Sequence, residues 1–411
     1  MKLLVSGFNA RPIAKAAIEA GYDIGTVDYF GDMDLLKLSM NCFSVLRQKP
    51  GQTLHRPLYR IPAEYLYFLS EIMSDEQDDF DGILLGSAFD RFPDLIDKFD
   101  KLGPRMFANK PEKFALIRDR MKLQKLAEQA GFEIPETKFV KSYEELIEVA
   151  NNFSYPLVTR GDGGGGGFGI RLWENIDDLK LHFMENFEEE DTGVWVQEHI
   201  YGTDASSSVI CSKDLVQIIS INRQLIGDKN LGSPGDFSYC GNIVPLGDKS
   251  FNQNKELQMA LLESIRNLFK KVDLIGTNGI DFVIKNGKVY FMEINPRFQG
   301  SIECVQYATG YNLVKLHIDA FNNIIHDIPE IPRYKKSAIK GILFSNSEEN
   351  FTVKKYPRNK WIVDRTHYDV ILENNDPFCS VVMPFKKSEN GYLKLTAIIK
   401  KIENLNQVDE V

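Results

Sequence analysis

Apolar and polar positions recur along this chain with two different periods, and the switches between them mark its elements. Residues 2–5 read as a buried strand, RPIAKAAIEAG as a helix that stops at Gly21, and DIGTVDYF as a second strand. That order is a β–α–β opening, and DGILLGSAFD adds a further strand and turn near residue 82. The first hundred residues therefore predict a small parallel α/β domain. Its first turn, SGFN, carries a single glycine, so the dinucleotide fingerprint is missing there.

NKPEKFALIRDRMKLQKLAEQAGFEIPET predicts one long amphipathic helix with Ala115, Met121, Leu123 and Leu126 as its apolar positions. Gly131 stops it and Pro135 bars continuation. Strands are expected at 137–140 and 155–160, around a helix at 143–152. After a run of glycines, Ile170 and Leu172 alternate with polar neighbours, as a strand does. VWVQEHI (194–200) and SSSVICS (206–212) are further strands, 227–242 is a polar, glycine-rich loop, and 253–271 is helical. GIDFVI and KVYFMEIN flank Asn286-Gly287, a strong hairpin signal. Residues 310–325 read as a helix. From about 335, short strands and turns predict a small β-rich terminal unit, and the final NLNQVDEV is expected to fray.

Composition narrows the class without naming a function. Of 411 residues, 43% are hydrophobic and 26% charged, the balance of soluble globular proteins, and the length allows two or three domains. The net charge of −9 comes with no long basic run or Arg/Lys-rich helix face, which argues against nucleic-acid binding. Cys42, Cys211, Cys240, Cys304 and Cys379 form no CxxC pair, which fits reduced, mostly buried thiols in a cytoplasmic protein. The apolar start is too short for a signal peptide, and no window reaches the roughly 18 apolar residues of a membrane span.

Two stretches carry candidate chemistry. TRGDGGGGGFGI, Thr159 to Ile170, is dominated by glycine, the residue that loses most backbone entropy on folding. Gly164, Gly166 and Gly169 formally satisfy G-x-G-x-x-G, but a Rossmann turn runs into a helix, and here a strand follows. The Gly-Lys-Ser/Thr ending of a Walker loop is absent. A flexible linker is the bland alternative, and linkers rarely interrupt an apolar pattern between two strands. What remains is a hairpin loop whose bare amides can fold over polyphosphate oxygens. Arg160, at the end of the entering strand, would face the same phosphates; a surface salt bridge is its ordinary alternative.

In the second stretch, pairing around Asn286-Gly287 places Asp281 across from about residue 292, beside Glu293. Asn295 shares a strand face with Glu293. Two carboxylates and an amide oxygen favour a hard cation, with magnesium keeping positions open for phosphate; a solvated polar sheet face is the alternative. Arg297 projects from the same end. Asn222, Arg223 and Tyr239 are candidate contacts for a carboxylate substrate, and the turn Ser6–Asn9 could reach it, since ligands gather at strand C-terminal ends. Cys240 and His199 fit structural roles better than catalysis.

In their order and spacing these residues resemble the ATP-grasp superfamily over roughly residues 1 to 325. DRMKLQKLAEQAGFEIP is similar to the family's first phosphate-contacting segment, with Arg120 in the basic place. YPLVTRGDGGGGGFGI resembles the second basic residue and the mobile glycine loop: Arg160, then Gly163, Gly164, Gly165, Gly166, Gly167 and Gly169. VQEHIYGTD resembles the hinge between the two ATP-binding subdomains, so the resemblance implies Gln197, Glu198 and Ile200 at the adenine and Asp204 at the ribose. Asp281, Glu293 and Asn295 match the family's metal ligands, and Arg297 the arginine on the reacting phosphoryl or acyl group.

The resemblance implies an α/β fold of ATP-grasp type. Residues 1–108 would be a Rossmann-like parallel domain, 109–198 a small subdomain with the glycine-rich loop, 199–330 the metal-binding subdomain, and 331–411 the small β-rich unit. It implies ATP and Mg2+ (or Mn2+) as cofactors. The expected activity is a carboxylate–amine (or thiol) ligase working through an acyl phosphate and releasing ADP and phosphate. Its partners would be small-molecule carboxylates and amines, with no nucleic acid and no membrane; a homodimer follows by analogy with other α/β domains. Ser301 stands where biotin carboxylase places a glutamate used on bicarbonate, which turns the reading away from a carboxylase and makes Ser301 a candidate substrate contact. A catalytically silent ATP-binding regulator is the other alternative, although a pure binder need not keep Arg297 beside the metal ligands. RFQGSIE and the 227–242 loop resemble ATP-dependent carboligases, archaeal and pyrrolysine-pathway-like ligases among them.

Overall fold

Leu3, Leu4 and Val5 have no exposed surface, because β1 (Lys2–Gly7) is a central strand of a parallel sheet, covered on both faces. In this computed structural model, residues 1–39, 41–54, 62–77, 79–161, 165–167, 169–186, 193–213, 215–345 and 351–406 are described. After β1 come α1 (Arg11–Glu19), β2 (Asp23–Asp28), α2 (Met33–Leu38), β3 (Cys42–Ser44), α3 (Pro62–Gln77), β4 (Gly82–Leu85), α4 (Pro93–Asp100) and β5 (Arg105–Phe107). The five strands pair in parallel in the order β3-β2-β1-β4-β5. Asp28, at the end of β2, holds the place where dinucleotide folds carry their ribose acid. Its carboxylate instead accepts the backbone N–H groups of Ala10, Phe30 and Gly31.

The expected single helix after residue 110 is two, α5 (Pro111–Arg118) and α6 (Arg120–Glu128). Asp119 breaks it: with ψ at 85° it leaves the helical region and its side chain caps α6 by accepting the Lys122 N–H. Met121, expected on the apolar side, is 54% exposed. Then follow β6 (Thr137–Val140), α7 (Tyr143–Asn152), β7 (Leu157–Gly161), β8 (Ile170–Trp173), α8 (Ile176–Asn186) and β9 (Val194–Glu198). Their four strands make an antiparallel sheet, β6-β9-β7-β8, with the glycine run as the β7–β8 connection.

The third sheet is antiparallel and has eight strands. Its first members are β10 (Thr203–Ser212), β11 (Leu215–Ile226) and β12 (Tyr239–Val244). Tyr239 to Asn242, expected within a loop, are therefore strand residues. Helices α9 (Lys249–Gln253) and α10 (Lys255–Val272) precede the hairpin of β13 (Gly276–Lys285) and β14 (Lys288–Asn295). Leu261, Ile265 and Leu268 of α10 pack on Ile218, Ile280 and Phe282 of the sheet. Next are α11 (Ile302–Thr309), which the sequence reading missed, and α12 (Leu313–Phe321). After 331, β15 (Ser337–Phe344), β16 (Phe351–Thr352), β17 (Ile362–Val363), β18 (Ile371–Leu372) and β19 (Pro377–Phe385) lead to a closing helix, α13 (Gly391–Asn404). β15, β19 and β17 extend the third sheet to the order β14-β13-β10-β11-β12-β15-β19-β17. Of the segment expected to fray, Asn406 is tied down, its carboxamide bonding the backbone of Lys354, Lys355 and Ile402, and residues 407–411 lie outside the described residues.

Candidate active site

Asn286 and Gly287 both take positive φ, 51° and 74°, the turn geometry that matches the twist of paired strands. From this turn β13 and β14 run back until Asp281 lies opposite Glu293. The register slips between Asp281 and Phe282, so Met292 is an extra residue on β14. That bulge corrects the expected partner of Asp281 by one position and puts the two carboxylates on one face.

The same face continues across the sheet. Asp281 is in register with Ser206 on β10, and Ser206 with Asn222 on β11, so Glu293, Asp281, Ser206 and Asn222 form a polar row. Asn295 Nδ2 donates to Asp281 Oδ2 at 3.1 Å. Gln299 Nε2 reaches Asp281 Oδ1 at 3.4 Å while its Oε1 accepts from Ser208 Oγ at 3.0 Å. Gly279 makes room for it: a Cβ there would lie 1.9 Å from the Gln299 carboxamide. Desolvation, then Glu293, push the Asp281 carboxyl up to about 8 against the pull of Arg297.

Arg297 spends its donors on three partners. Nε donates to Asp90 Oδ2 at 2.6 Å, Nη1 to the Phe298 carbonyl at 3.0 Å, and Nη2 to Asn295 Oδ1 at 3.2 Å. Asp90 comes from the turn after β4, so the parallel domain supplies an acid to this cluster. Sequence reasoning missed Asp90, Gln299, Ser206 and Ser208. A signal for Asp90 existed, because it follows the C-terminal end of a parallel strand.

The glycine loop closes onto the third sheet. Tyr239 N–H donates to the Gly166 carbonyl at 3.0 Å. Gly167 has φ 85°, and a Cβ on it would lie 1.8 Å from the Phe237 carbonyl oxygen. Gly166 and Gly169 also take positive φ, and Gly165 faces open space. Gly163 and Gly164 lie outside the described residues. Tyr239 links the loop to the acidic row: its hydroxyl donates to Asn242 Oδ1 and lies against Gly300, and Asp281 and Arg297 both act on its phenol. Arg160 on β7 is opposite Trp195, and the Arg120 guanidinium stands 5.4 Å from the Trp195 ring centroid. Arg120 thus meets the indole of the residue that pairs with Arg160 across the sheet.

The Gln197 carboxamide is committed to Thr137 Oγ1 at 2.9 Å, and the Glu198 N–H to the Glu136 carbonyl at 2.9 Å. Ile200 is buried. Burial holds the Asp204 carboxyl above its ordinary value, with Arg223 opposing. Asn222 and Arg223 are neighbours on β11 and project to opposite faces, the first buried and the second exposed. Only Asn222 joins the acidic row. Ser301 is buried, and its Oγ has no hydrogen-bond partner. Desolvation raises the Cys240 thiol, which suits a packed residue rather than a nucleophile. Burial lowers His199, whose ring meets Tyr201 edge-on.

Among the described residues, no group of three or more His, Cys, Asp or Glu side chains is arranged to hold a metal. The set that remains, two carboxylates and an amide oxygen, is an all-oxygen donor set of the kind a hard cation takes. A cavity of about 150 Å³ lined by Lys15, Glu303, Tyr307 and Asn312 shares no lining residue with this cluster.

Residues 117–301 match the family model of the ATP-grasp domain. The chain carries an ATP-grasp domain. The match takes in Arg120, Arg160, the glycine loop, residues 197–204 and the acidic hairpin up to Ser301. Over 386 residues the chain is 25% identical to an uncharacterized protein of Methanocaldococcus jannaschii, covering 93% of this chain and 88% of that one. It is 24% identical over 224 residues to the carbamoyl phosphate synthase large chain of Vibrio cholerae, a match spanning 54% of this chain and 20% of the synthase. The biotin carboxylase of Campylobacter jejuni, solved as a beta-gamma-ATP complex, superposes with a TM-score of 0.75 at 16% identity, covering 98% of this chain and 94% of that one. Outside the ATP-grasp domain the likeness to biotin carboxylase thus extends to the parallel domain and the C-terminal strands. Among the described residues no helix is long and apolar enough to cross a membrane.

Proposed function

We propose that this protein is an ATP-dependent carboxylate–amine ligase that works through an acyl phosphate. The observation that carries the reading is the meeting of Asp281, Glu293, Asn295 and Arg297 in one cluster, with the tip of the glycine loop seated on Tyr239 beside it. The crowded pair Asp281–Glu293 is a site that a divalent cation would relieve, as the raised Asp281 carboxyl reflects. Asp281, Glu293 and Asn295 would hold magnesium, which when bound offsets the charge of the β- and γ-phosphates. On this reading residues 109–198 and 199–330 are the two halves that close on ATP.

The chain's own groups position reactants and stabilise charge. Arg120, Arg160 and the loop amides would take the remaining phosphate oxygens. A substrate carboxylate oxygen attacks the γ-phosphorus and ADP leaves with the bridging oxygen. The amine then attacks the acyl carbon, the C–O bond to phosphate breaks, and phosphate leaves. Arg297 would face the transferring phosphoryl group and then the oxyanion of the tetrahedral intermediate. The glycine loop excludes the water that would otherwise hydrolyse the acyl phosphate, and must open again for release. Ser301, with a hydroxyl and no carboxylate, gives bicarbonate no general base at its position.

The test is a pooled screen of carboxylic acids and amines that reads ADP formation, followed by mass spectrometry of any productive mixture. ADP and phosphate release that needs both an acid and an amine, with a condensed product, supports the ligase. Release that needs bicarbonate instead makes the protein a carboxylase. No release from any mixture favours a silent ATP binder.

A further inference from the structure

The turn after β4 holds a feature that phosphate chemistry does not use. Asp90 gives Oδ2 to Arg297, while its Oδ1 is buried and has no hydrogen-bond partner. On the neighbouring turn after β1, Asn9 Oδ1 is likewise buried without a partner. The two turns are clipped together. Gly86 N–H donates to the Ser6 carbonyl and Phe8 N–H to the Ser87 carbonyl, both at 2.8 Å. Gly7 and Gly86 meet backbone to backbone, since a Cβ on Gly7 would lie 3.0 Å from Gly86 Cα. Between the clip and Asp90, Ala88 has φ 119°, a conformation that a side-chain-bearing residue keeps only where its surroundings impose it.

Leaving buried acceptors without donors is costly, and so is the Ala88 backbone. Asp90 Oδ1 and the Ala88 backbone fall on the segment that delivers Asp90 to Arg297, and Asn9 lies on the turn clipped to it. Two oxygen acceptors, one of them anionic, call for a ligand rich in N–H donors and positively charged. We propose that Asp90 Oδ1 and Asn9 Oδ1 receive the amine substrate as its ammonium group, with Asp90 Oδ1 the acceptor for the proton that the nitrogen gives up before it attacks, which makes the nucleophile a primary amine rather than a thiol. An ammonium brings three donors and a charge; a thiol brings one weak donor and none. The Asp90 side chain is 30% exposed, so the carboxylate borders solvent while its free oxygen points inward. Through its other oxygen Asp90 holds Arg297, which sets the amine one residue away from the group facing the acyl carbon. The inference rests on the ligase reading for the name of its ligand, and on the two turns alone for the ligand's chemistry.

The experiment titrates the full-length protein with ethylammonium chloride by ligand-observed NMR, with ethanol as the uncharged control. A three-heavy-atom cation is expected to bind wild type with a dissociation constant on the order of millimolar. Ethanol should not bind saturably. Asp90→Asn keeps the side-chain shape and an acceptor for Arg297 but removes the charge, and should weaken ethylammonium about tenfold or more. Asn9→Ala should weaken it a few-fold, and it serves as the readout if the melting curve shows that Asp90→Asn does not fold. Absence of saturable binding to wild type up to about 100 mM, equal binding of ethanol, or unchanged affinity in the folded variants would each overturn the proposal. Ethylammonium binding that behaves as stated, with no ADP release in the acid and amine screen, would retain the cation site and remove the ligase reading.

Discussion

Arg297 is the residue on which the proposed chemistry converges, and its three hydrogen bonds define what its loss would do. Nε, Nη1 and Nη2 are aimed by Asp90, the Phe298 carbonyl and Asn295, so the guanidinium is oriented before any reactant arrives. Removing one pre-aimed charge-stabilising donor typically costs about 3–4 kcal/mol of barrier. Arg297→Ala should therefore lower acid- and amine-dependent ADP formation by roughly two to three orders of magnitude while thermal unfolding stays cooperative. Activity within a few-fold of wild type would remove Arg297 from the mechanism. Glu293 tests the cation site at the same scale. Glu293→Gln preserves shape and removes one of the two like carboxylates, so affinity for magnesium-ATP should fall about tenfold or more. Calorimetry with magnesium-ATP reads this directly, and wild-type affinity would contradict the assignment.

The β7–β8 connection carries the argument at the level of elements. Gly167 combines φ 85° with a Cβ position 1.8 Å from the Phe237 carbonyl oxygen, so no side chain fits while the loop sits on Tyr239. Gly167→Ala should hold the loop off the third sheet and lower turnover about tenfold, from an αL penalty of roughly 1–2 kcal/mol. The melting temperature should stay near wild type, because the glycine belongs to a surface loop rather than to a core cluster. Equal losses of turnover and stability would show the loop to be structural. Local signals made this region legible: the span of α7 (Tyr143–Asn152) and the Asn286-Gly287 turn follow from capping, periodicity and turn chemistry. Signals that depend on competition were not. Asp119 sits in a helical pattern and takes the cap instead, and the Met292 bulge moves a register that the turn alone would set. α11 was invisible because its buried residues follow Gly300 and include Glu303, a polar position that reads as surface.

At the level of the whole molecule, charged and polar side chains fasten the parallel domain to the rest of the chain, and none of these contacts is local. Arg11 of α1, 1% exposed, pairs with Glu303 of α11 and with Asp364. His317 of α12 joins β13 to β5: Nδ1 accepts the Thr277 N–H and Nε2 meets the Phe107 carbonyl, both at 2.8 Å. An accepting Nδ1 fixes the neutral ring with its proton on Nε2, and burial lowers the pKa from 6.5 to about 4. The unfolded chain then binds a proton near pH 6.5 that the folded chain refuses until about pH 4. Unfolding takes up that proton in between, so the stabilising contribution is full above pH 6.5 and is lost as the pH falls toward 4. At pH 5 the loss from this residue should be about 2 kcal/mol relative to pH 7. Other groups titrate as well, so the comparison is with His317→Gln, which has no proton to gain. Urea denaturation at pH 7, 6 and 5 should show wild type losing about 2 kcal/mol more than the variant over that range. A difference between the two proteins that stays constant from pH 7 to 5 would mean that His317 is protonated in the folded state, and that the tie between the ATP-grasp hairpin and the parallel domain is made some other way.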